Sequence, residues 1–404
     1  MMTSYGSKFA TAAIALTFAT NAMADEKTLD IGVSDALTGG AAVYGLPQAN
    51  AVKMAAEEIN ASGGVKVGDD VYMLNVIAYD DKANPTEASN SVRKLIDRDS
   101  VKYILGFCCS GATGAVASFI GDEDAVMLVG NAAERSITTR ELSNLVRTRP
   151  PADYTGAAAG PFVAERGAKR VAVLGALDVG FYASYVDAFE KELEKAGGEI
   201  VTRETFSLKD RDMTPQLTKI RGLDADALLV VGYVEPAAFI YRQSTELGMD
   251  IPRYGFTSGS EEQFLRVATS EQMEGVWDLR PTELTLLSAS DNGIAYHKNY
   301  SEKYDISPSP SSPYAYDQTY ALKDALEAAG SVEDTAAVAA ALRDLKVPDE
   351  VVMQYSSVDG KMFDVNGQAY TSNGAFQWQD GNWVFVEDLP SDAKAYSEFL
   401  STID

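Results

Sequence analysis

The chain has 404 residues, of which 34 are basic and 59 acidic, and its formal net charge is −25. This acidic excess disfavours nucleic acid and anionic membrane surfaces as partners, because both are bound mainly through Lys and Arg. The length exceeds what one hydrophobic core usually supports, so we expect two lobes.

The first 24 residues have the pattern of a secretory signal peptide. Lys8 precedes an apolar stretch from Phe9 to Ala19, and Ala22-Met23-Ala24 resembles a cleavage site. The stretch is shorter than the ~20 apolar residues needed to cross a bilayer. We therefore expect an exported mature chain that starts at Asp25 and does not insert into the membrane.

From Asp25 to about Arg147, apolar strand patterns alternate with amphipathic helix patterns. The predicted strands are Leu29–Val33, Tyr72–Ala78, Val101–Leu105 and Ala125–Val129, and the predicted helices are Leu46–Asn60, Pro85–Asp97 and Thr113–Gly121. This alternation predicts a parallel sheet covered by helices on both faces. Pro150-Pro151 then interrupts it.

The same alternation begins again after the two prolines. It predicts strands at Arg170–Leu174, Glu199–Phe206, Ala227–Val231 and Arg253–Phe256, with helices at Tyr182–Ala196, Thr214–Leu223 and Pro236–Leu247. After a second break at 277–282 the chain is helix-rich to about Val347, and the tail predicts short strands at 376–379 and 383–386. The whole pattern predicts two doubly wound α/β lobes.

Several distinctive side chains follow predicted strands, at the edge where open α/β sheets bind ligands. Tyr44, Phe181, Tyr182 and Tyr233 either contact an apolar, aromatic or cationic ligand or pack the interface between the lobes. Ser110 begins a predicted helix, where its hydroxyl either caps the helix or helps to hold a carboxylate.

The sequence has no pattern typical of a catalytic centre. The only histidine, His297, lies in a polar helical segment. We find neither a Cys/His zinc-ligand set, nor a Walker loop, nor a nucleophile elbow, nor an intact dinucleotide fingerprint. We therefore expect a binding protein rather than an enzyme, with no metal and no cofactor.

Six segments occur in an informative order and spacing. They are Leu37-Thr38-Gly39 with Tyr44-Gly45, Glu58 to Val65, Tyr79-Asp80-Asp81, Ile104-Leu105-Gly106 before Ser110, Gly232-Tyr233, and Ala315-Tyr316-Asp317. Together they resemble the type I periplasmic solute-binding proteins of ABC importers, specifically the branched-chain amino acid (leucine/isoleucine/valine) family. The resemblance covers essentially the whole mature chain.

The resemblance implies two lobes that are joined by three crossovers and close like a hinge over a ligand. We place the crossovers near Arg149–Asp153, Asp278–Thr282 and Gln354–Asp359. Lobe 1 would then comprise residues 25–149 plus 281–354, and lobe 2 residues 150–280 plus 355–404. The family also implies a periplasmic monomer that delivers a small molecule to an ABC permease in the inner membrane.

The resemblance further implies which residues contact the ligand. In the family, the loops that correspond here to Ser110 and to Asn131-Ala132-Ala133 hold the carboxylate of the ligand, and Ala133 stands where a hydroxyl residue is expected. Phe181 occupies a position that is commonly Tyr. Tyr233 matches a position that contacts the ligand in the family. Cys108 matches a position that lines the pocket.

The position of Ser258 departs from the amino-acid binders, which carry a Glu there that pairs with the ammonium group of the ligand. Glu261 or Glu262 could replace it if the loop is rearranged, and Glu235 and Asp178 are further substitutes. A buried ammonium without a counter-charge is costly, so a neutral Ser argues against an ordinary α-amino acid.

Cys108 and Cys109 are the only cysteines and are adjacent. In the family the position of Cys109 often forms a disulfide, but its usual partner position here is Ala83. In an oxidising compartment the pair forms either a strained vicinal disulfide or two thiols, and both interpretations stay open.

The ligand that we expect is a small carboxylate or amide-like compound with an apolar or aromatic body. A branched-chain amino acid is the alternative. A sensory protein that presents its ligand to a receptor is the alternative to transport, because both functions would use the same surface of the closed lobes.

Overall fold

Two α/β lobes, each built on its own sheet, make up the computed structural model, which describes residues 1–2, 26–257, 259–282 and 290–400. The proposed cleavage site and the rest of the predicted signal peptide beyond residue 2 lie outside the described residues. Ser258 also lies outside them.

Thirteen strands form the two sheets of the described chain. They are β1 (Glu26–Asp35), β2 (Val65–Val67), β3 (Asp70–Asp80), β4 (Tyr103–Gly106), β5 (Val126–Val129), β6 (Leu145–Arg147), β7 (Arg170–Ala176), β8 (Glu199–Phe206), β9 (Ala227–Val231), β10 (Arg253–Phe256), β11 (Trp277–Pro281), β12 (Asn373–Gln379) and β13 (Asn382–Leu389).

The α-helices cover the faces of these sheets. They are α1 (Ala42–Ala61), α2 (Pro85–Arg93), α3 (Ser110–Ala117), α4 (Ala152–Glu165), α5 (Tyr182–Lys195), α6 (Thr214–Arg221), α7 (Val234–Glu246), α8 (Glu261–Leu265), α9 (Ser270–Met273), α10 (Asp291–Tyr304), α11 (Ser312–Ala329), α12 (Thr335–Asp344) and α13 (Ala393–Leu400).

The first sheet has the order β2-β3-β1-β4-β5-β6, and all its pairs are parallel except β2 with β3. The second has the order β13-β12-β11-β10-β9-β7-β8, with β12 and β13 added antiparallel at one edge. Every residue of β4, β5 and β9 is buried, as expected for parallel strands covered on both faces. The predicted pair of doubly wound lobes is confirmed.

The ends of the early helices follow from local sequence signals. Asn84 caps α2, since its side chain accepts hydrogen bonds from the amides of Thr86 and Glu87, and Pro85 occupies the first helical position. Gly64 ends α1 with a φ of 74°, and its amide donates to the carbonyl of Ile59 at 2.9 Å. Asn84 thus sets where α2 begins, and Gly64 sets where α1 ends.

Helix α11 packs against α1, which covers the first sheet, and α12 packs against β5 and β6 of that sheet. Strands β12 and β13 extend the second sheet. The chain therefore returns to the first lobe after β11 and to the second lobe before β12. The exact boundaries of the two lobes stay a prediction.

Seven of the strands and α-helices of the described chain were not predicted from the sequence patterns: β2, β6, β11, α4, α8, α9 and α13. Strand β11 occupies the segment that was predicted to be a break at 277–282. Strand β6 includes Arg147, which is fully buried although it is charged, so the segment lacks the apolar pattern that predicts a buried strand. Strand β2 has only three residues. The tail, which was predicted to form strands and turns, also forms helix α13, whose Ala393, Ser397 and Leu400 are buried at helical spacing. No helix of the described chain combines the length and apolar character needed to cross a membrane.

Asp317 on α11 fixes the segment in which we placed the third crossover. Its carboxylate accepts hydrogen bonds from the amides of Val352 and Met353, at 2.8 and 3.0 Å, and from the hydroxyl of Tyr355 at 3.0 Å. Burial raises the pKa of Asp317 to about 7, although these hydrogen bonds oppose the shift.

We expect Asp317→Ala to lower the free energy of unfolding by about 2–4 kcal/mol, because two buried amides lose their acceptors. Urea denaturation at fixed pH measures this loss. Asp324→Ala, on the same helix, removes only an ion pair with Lys323 that is partly open to solvent, and should cost less than about 1 kcal/mol. Equal costs for the two variants would contradict the assigned role of Asp317.

Candidate ligand-binding cleft

The carboxyl ends of the strands of both sheets meet at a small cavity. Residues of both lobes line it, namely Tyr44, Cys108, Asn131, Ala133, Arg149, Phe181, Gly232, Tyr233, Phe256 and Thr257. Its volume of about 30 Å³ is that of a single water molecule. The structure therefore represents a closed state, and a larger ligand can enter only when the lobes separate or the lining side chains move.

Each lining residue is placed by the strand that precedes it. Tyr44 lies in the first turn of the helix after β1, Cys108 follows β4, and Asn131 follows β5. On the opposite side, Phe181 precedes α5 and Tyr233 precedes α7. This is the edge at which open parallel sheets bind ligands, because the loops there converge.

Tyr44 joins the two lobes across the cavity. Its hydroxyl accepts a hydrogen bond from the amide of Val234 at 2.9 Å and donates one to the carbonyl of Thr257 at 3.3 Å. Its ring centroid lies 5.1 Å from that of Tyr233. Burial raises the pKa of Tyr44, so the hydroxyl keeps the proton that it donates.

Aromatic rings form one wall of the cavity. The ring of Phe181 lies 6.4 Å from Tyr233 and 5.4 Å from Phe256, in an edge-on arrangement with the latter. Tyr185 stacks behind Phe256 with centroids 4.3 Å apart. The packed rings make this wall apolar, which suits an aliphatic or aromatic ligand body.

Six of the predicted site residues line the cavity together: Tyr44, Cys108, Asn131, Ala133, Phe181 and Tyr233. Cys109, Ser110, Ala132 and Tyr182 are buried beside it but do not line it. Ser258 lies outside the described residues. Whether these residues bind a ligand stays a prediction.

The hydroxyl of Ser110 holds two loops of the first lobe together. Its Oγ accepts hydrogen bonds from the amides of Ala133 and Glu134, both at 3.1 Å. These amides follow β5, so Ser110 connects the loop after β4 to the loop after β5. In the closed state its oxygen is directed to the protein backbone.

The acidic residues that we considered as partners for an ammonium group do not line the cavity. Glu235 forms an ion pair with Arg211 at 3.1 Å, and Asp178 accepts hydrogen bonds from Ser207 and Leu208. Glu261 accepts a hydrogen bond from the amide of Trp383, and Glu262 pairs with Arg266. All four carboxylates already have partners in the closed state.

Sequence reasoning missed Arg149, which lies between β6 and α4 and lines the cavity. Its side chain is only 4% exposed, and its Nε has no hydrogen-bond partner in the described part of the chain. The guanidinium carbon is 5.4 Å from the centroid of Phe256. The available signal was a second arginine, two residues after Arg147, placed where a predicted crossover enters the cleft.

Both cysteines are free thiols in this structure, and the vicinal disulfide stays an untested prediction. The amide of Cys108 donates to Oδ1 of Asp35 at 3.0 Å. Burial raises the pKa of the Cys108 thiol well above its usual range, and the neighbouring Cys109 and Asp35 add to the shift. Cys108 therefore lines the cavity as a protonated thiol.

Asp35 lies behind Cys108 in the floor of the cleft and is fully buried. Burial raises its pKa to about 7, and the charge of Asp81 acts in the same direction. Burial also raises the pKa of Asp81, to about 6. Gln48 donates to Oδ2 of Asp35 at 3.1 Å, while its own side-chain oxygen has no partner among the described residues.

Two doubly wound lobes that enclose a cavity between their strand ends define a bilobal solute-binding protein. The chain matches the model of the periplasmic binding protein family over residues 28–382, and it belongs to that family. Members of this family bind ligands rather than catalyse reactions.

Curated relatives extend over nearly the whole chain. The Leu/Ile/Val-binding protein BraC3 of Rhizobium johnstonii is 27% identical over 384 residues, which cover 94% of this chain and 98% of the relative. The Leu/Ile/Val-binding protein homolog 3 of Brucella melitensis is 26% identical, with coverages of 92% and 96%.

Solved structures share the fold. The branched-chain amino acid transporter substrate-binding protein LivJ of Streptococcus pneumoniae, in complex with isoleucine, has a TM-score of 0.76 and 25% identity, covering 89% of this chain and 100% of LivJ. A solute-binding protein of R. palustris in complex with benzoate has a TM-score of 0.76 and 18% identity, with coverages of 91% and 98%. The second similarity concerns the fold alone.

We expect Tyr44→Phe to loosen the closed state, because the amide of Val234 loses its acceptor across the cleft. Hydrogen exchange of that amide should accelerate roughly fivefold to tenfold, as expected for the loss of one hydrogen bond. Tyr304→Phe is the matched control, since its hydroxyl donates a hydrogen bond to the carbonyl of Asn50 within the first lobe. Unchanged exchange in Tyr44→Phe would contradict the role of the hydroxyl.

Folding raises the pKa of the carboxyl group of Asp35, so this group favours the folded state while it is protonated. Its contribution is complete below its unfolded pKa, near 3.9, and is lost as the pH rises through about 7. We therefore expect the free energy of unfolding to decline from pH 5 to pH 8, and to decline less in Asp35→Asn. Each unit of pKa shift corresponds to about 1.4 kcal/mol.

Urea denaturation at several pH values measures this difference. The control is Asp80→Asn: burial acts to raise the pKa of Asp80, but hydrogen bonds from Thr38 and nearby amides lower it overall. Asp80 is therefore ionised throughout this pH range, and its replacement should leave the slope unchanged. The same slope in wild type and Asp35→Asn would show that Asp35 does not titrate as described.

Proposed function

We propose that the protein captures a small solute in the cleft between its lobes and delivers it to an ABC permease in the inner membrane. The observation that carries this proposal is the cavity whose walls come from both lobes and across which Tyr44 contacts the opposite backbone. A ligand held by both lobes stabilises the closed form, which a permease can distinguish from the open form.

The proposal includes export and assembly state. Residues 1–24 act as a cleavable signal peptide, so the mature chain works in the periplasm as a monomer. Its encounter with the permease is transient. Lobe 1 comprises residues 25–149 plus 281–354, and lobe 2 residues 150–280 plus 355–404.

The proposed ligand is a small carboxylate or amide-like compound with an apolar or aromatic body. The aromatic wall supports the apolar body. The names of the relatives favour leucine, isoleucine or valine as the second candidate. Against that candidate, the described lining contains no carboxylate that would pair with the ammonium group of an amino acid.

A thermal-shift screen tests the proposal. The panel comprises branched-chain amino acids, aliphatic and aromatic acids, their amides, and quaternary amines. A ligand present at one hundred times its dissociation constant stabilises the folded protein by about 2.7 kcal/mol. Tyr233→Ala should abolish the shift, because Tyr233 lines the cavity.

Tyr72→Ala is the matched control, since Tyr72 is half-buried on the first sheet and its ring contacts Lys27 far from the cleft. It should keep the shift of the wild type. Circular dichroism verifies that both variants are folded. A shift that survives Tyr233→Ala unchanged would place the ligand elsewhere and contradict the proposal.

A further inference from the structure

Arg149 is a buried positive charge at the candidate site, and the described residues supply no counter-charge for it. Its side chain is 4% exposed and lines the cavity. No carboxylate in the described ranges lies within ion-pair distance of its guanidinium, and its Nε has no hydrogen-bond partner there. Removing an arginine from water without a partner costs several kcal/mol.

The other buried arginines of this region have partners. Arg147, two residues earlier, donates to the side chain of Gln368 at 2.6 Å and to the carbonyl of Ala132 at 3.1 Å. Arg280 pairs with Asp278 at 2.9 Å. Nε and Nη2 of Arg280 also lack hydrogen-bond partners in the described chain, but Arg280 has a carboxylate partner and does not line the cavity. Arg149 differs from both because it lines the cavity with neither an ion-pair partner nor a hydrogen-bonded Nε among the described residues, and the cavity is where a bound anion would lie.

The rest of the lining has neither the charge to neutralise Arg149 nor the charge to hold a cation. Its other members are aromatic, small or neutral polar residues, and Arg149 is the one charged side chain in the described lining. The nearby carboxylate of Glu134 accepts hydrogen bonds from Ser184 and from the amide of Ser136, at 3.0 and 3.3 Å.

We propose that the ligand is a small monocarboxylate without a cationic group, and that its carboxylate pairs with the guanidinium of Arg149 while its apolar body lies against the aromatic wall. This inference rests on the proposed function and narrows its ligand. A carboxylate matches the fork of an arginine and forms charge-assisted hydrogen bonds with it. A neutral amide leaves Arg149 uncompensated, and an amino acid brings an ammonium group that the described lining does not neutralise.

Two matched pairs of probes test the charge requirement in the full mature chain. 4-Methylpentanoate is leucine without its ammonium group, and benzamide is the neutral counterpart of benzoate. Isothermal titration calorimetry should show that each carboxylate binds at least tenfold more tightly than its partner. Leucine binding more tightly than 4-methylpentanoate, or benzamide binding more tightly than benzoate, would overturn the inference.

Substitutions test whether Arg149 supplies the positive charge that binds the carboxylate. Arg149→Met keeps much of the apolar stem and should weaken carboxylate binding at least thirtyfold, whereas Arg149→Lys should lose less. Arg211→Met is the control. It removes the same charge from a neighbouring pocket that shares Tyr44 and Tyr233 with the cavity, where Arg211 is half exposed and paired with Glu235, and it should change affinity less than twofold. Equal effects of Arg149→Met and Arg211→Met would overturn the inference.

The unliganded protein gives a readout that does not depend on the probe. Because Arg149→Met removes an uncompensated buried charge, its melting temperature without ligand should equal or exceed that of the wild type. A clear fall would assign Arg149 a structural role and overturn the inference.

Binding by the wild type distinguishes a failure of the carboxylate inference from a failure of the proposed solute-binding function. A wild type that binds other members of the panel in the cleft, but neither carboxylate, overturns the inference and leaves solute capture standing. A wild type that binds no member of the panel overturns both.

Discussion

The hydroxyl of Tyr44 is the polar contact through which the first lobe binds the backbone of the second at the cavity. It bonds to the amide at the start of α7 and to the carbonyl of Thr257, so one oxygen contacts the loops that follow β9 and β10 in the opposite lobe. Buried backbone groups need such partners. When the cleft opens, water or a ligand has to replace Tyr44 as the partner of both groups.

The cavity volume gives this contact its functional meaning. About 30 Å³ accommodates one water molecule, whereas sites for small organic ligands usually measure about 300–1,000 Å³. A solute with an apolar body can therefore bind only in a state where the lobes stand further apart or the rings of Tyr44 and Tyr233 have moved. In that state the ligand replaces part of the direct contact between the lobes, so its shape determines how completely they close.

Sequence reasoning recovered most of the framework because local patterns carry that information. Strands such as β9 are continuous apolar runs, and helix α2 has its Asn84 cap and Pro85 in sequence. Tyr44, Tyr233 and Phe181 could be proposed because they follow predicted strand ends, where open sheets bind ligands. The resemblance to a family added Cys108, Asn131 and Ala133, which have no individual signal of function.

The remainder depends on distances that sequence does not contain. For Ser110 the sequence left a helix cap and a ligand-binding hydroxyl both open. The structure adds that the amides after β5 use its oxygen, and ligand binding stays a prediction. Arg149 was missed, because next to Arg147 its sequence context is that of one more basic residue in a crossover. Only the folded chain shows that Arg147 is bonded to Gln368 and Ala132, whereas the guanidinium of its neighbour lines the cavity.

The two arginines also show how the crossover region and the site are built together. The side chain of Gln368 accepts a hydrogen bond from Nε of Arg147 and donates one to the backbone carbonyl of Arg149 at 2.7 Å. One buried amide thus fixes the backbone of Arg149 while its side chain stays free of hydrogen bonds to Gln368. In the proposed division of the chain, residue 368 follows the third crossover and Arg149 lies at the first. If the lobes close about these crossovers, an anion that pairs with Arg149 as proposed would bind next to the segments that bend, so binding and closure would be coupled there.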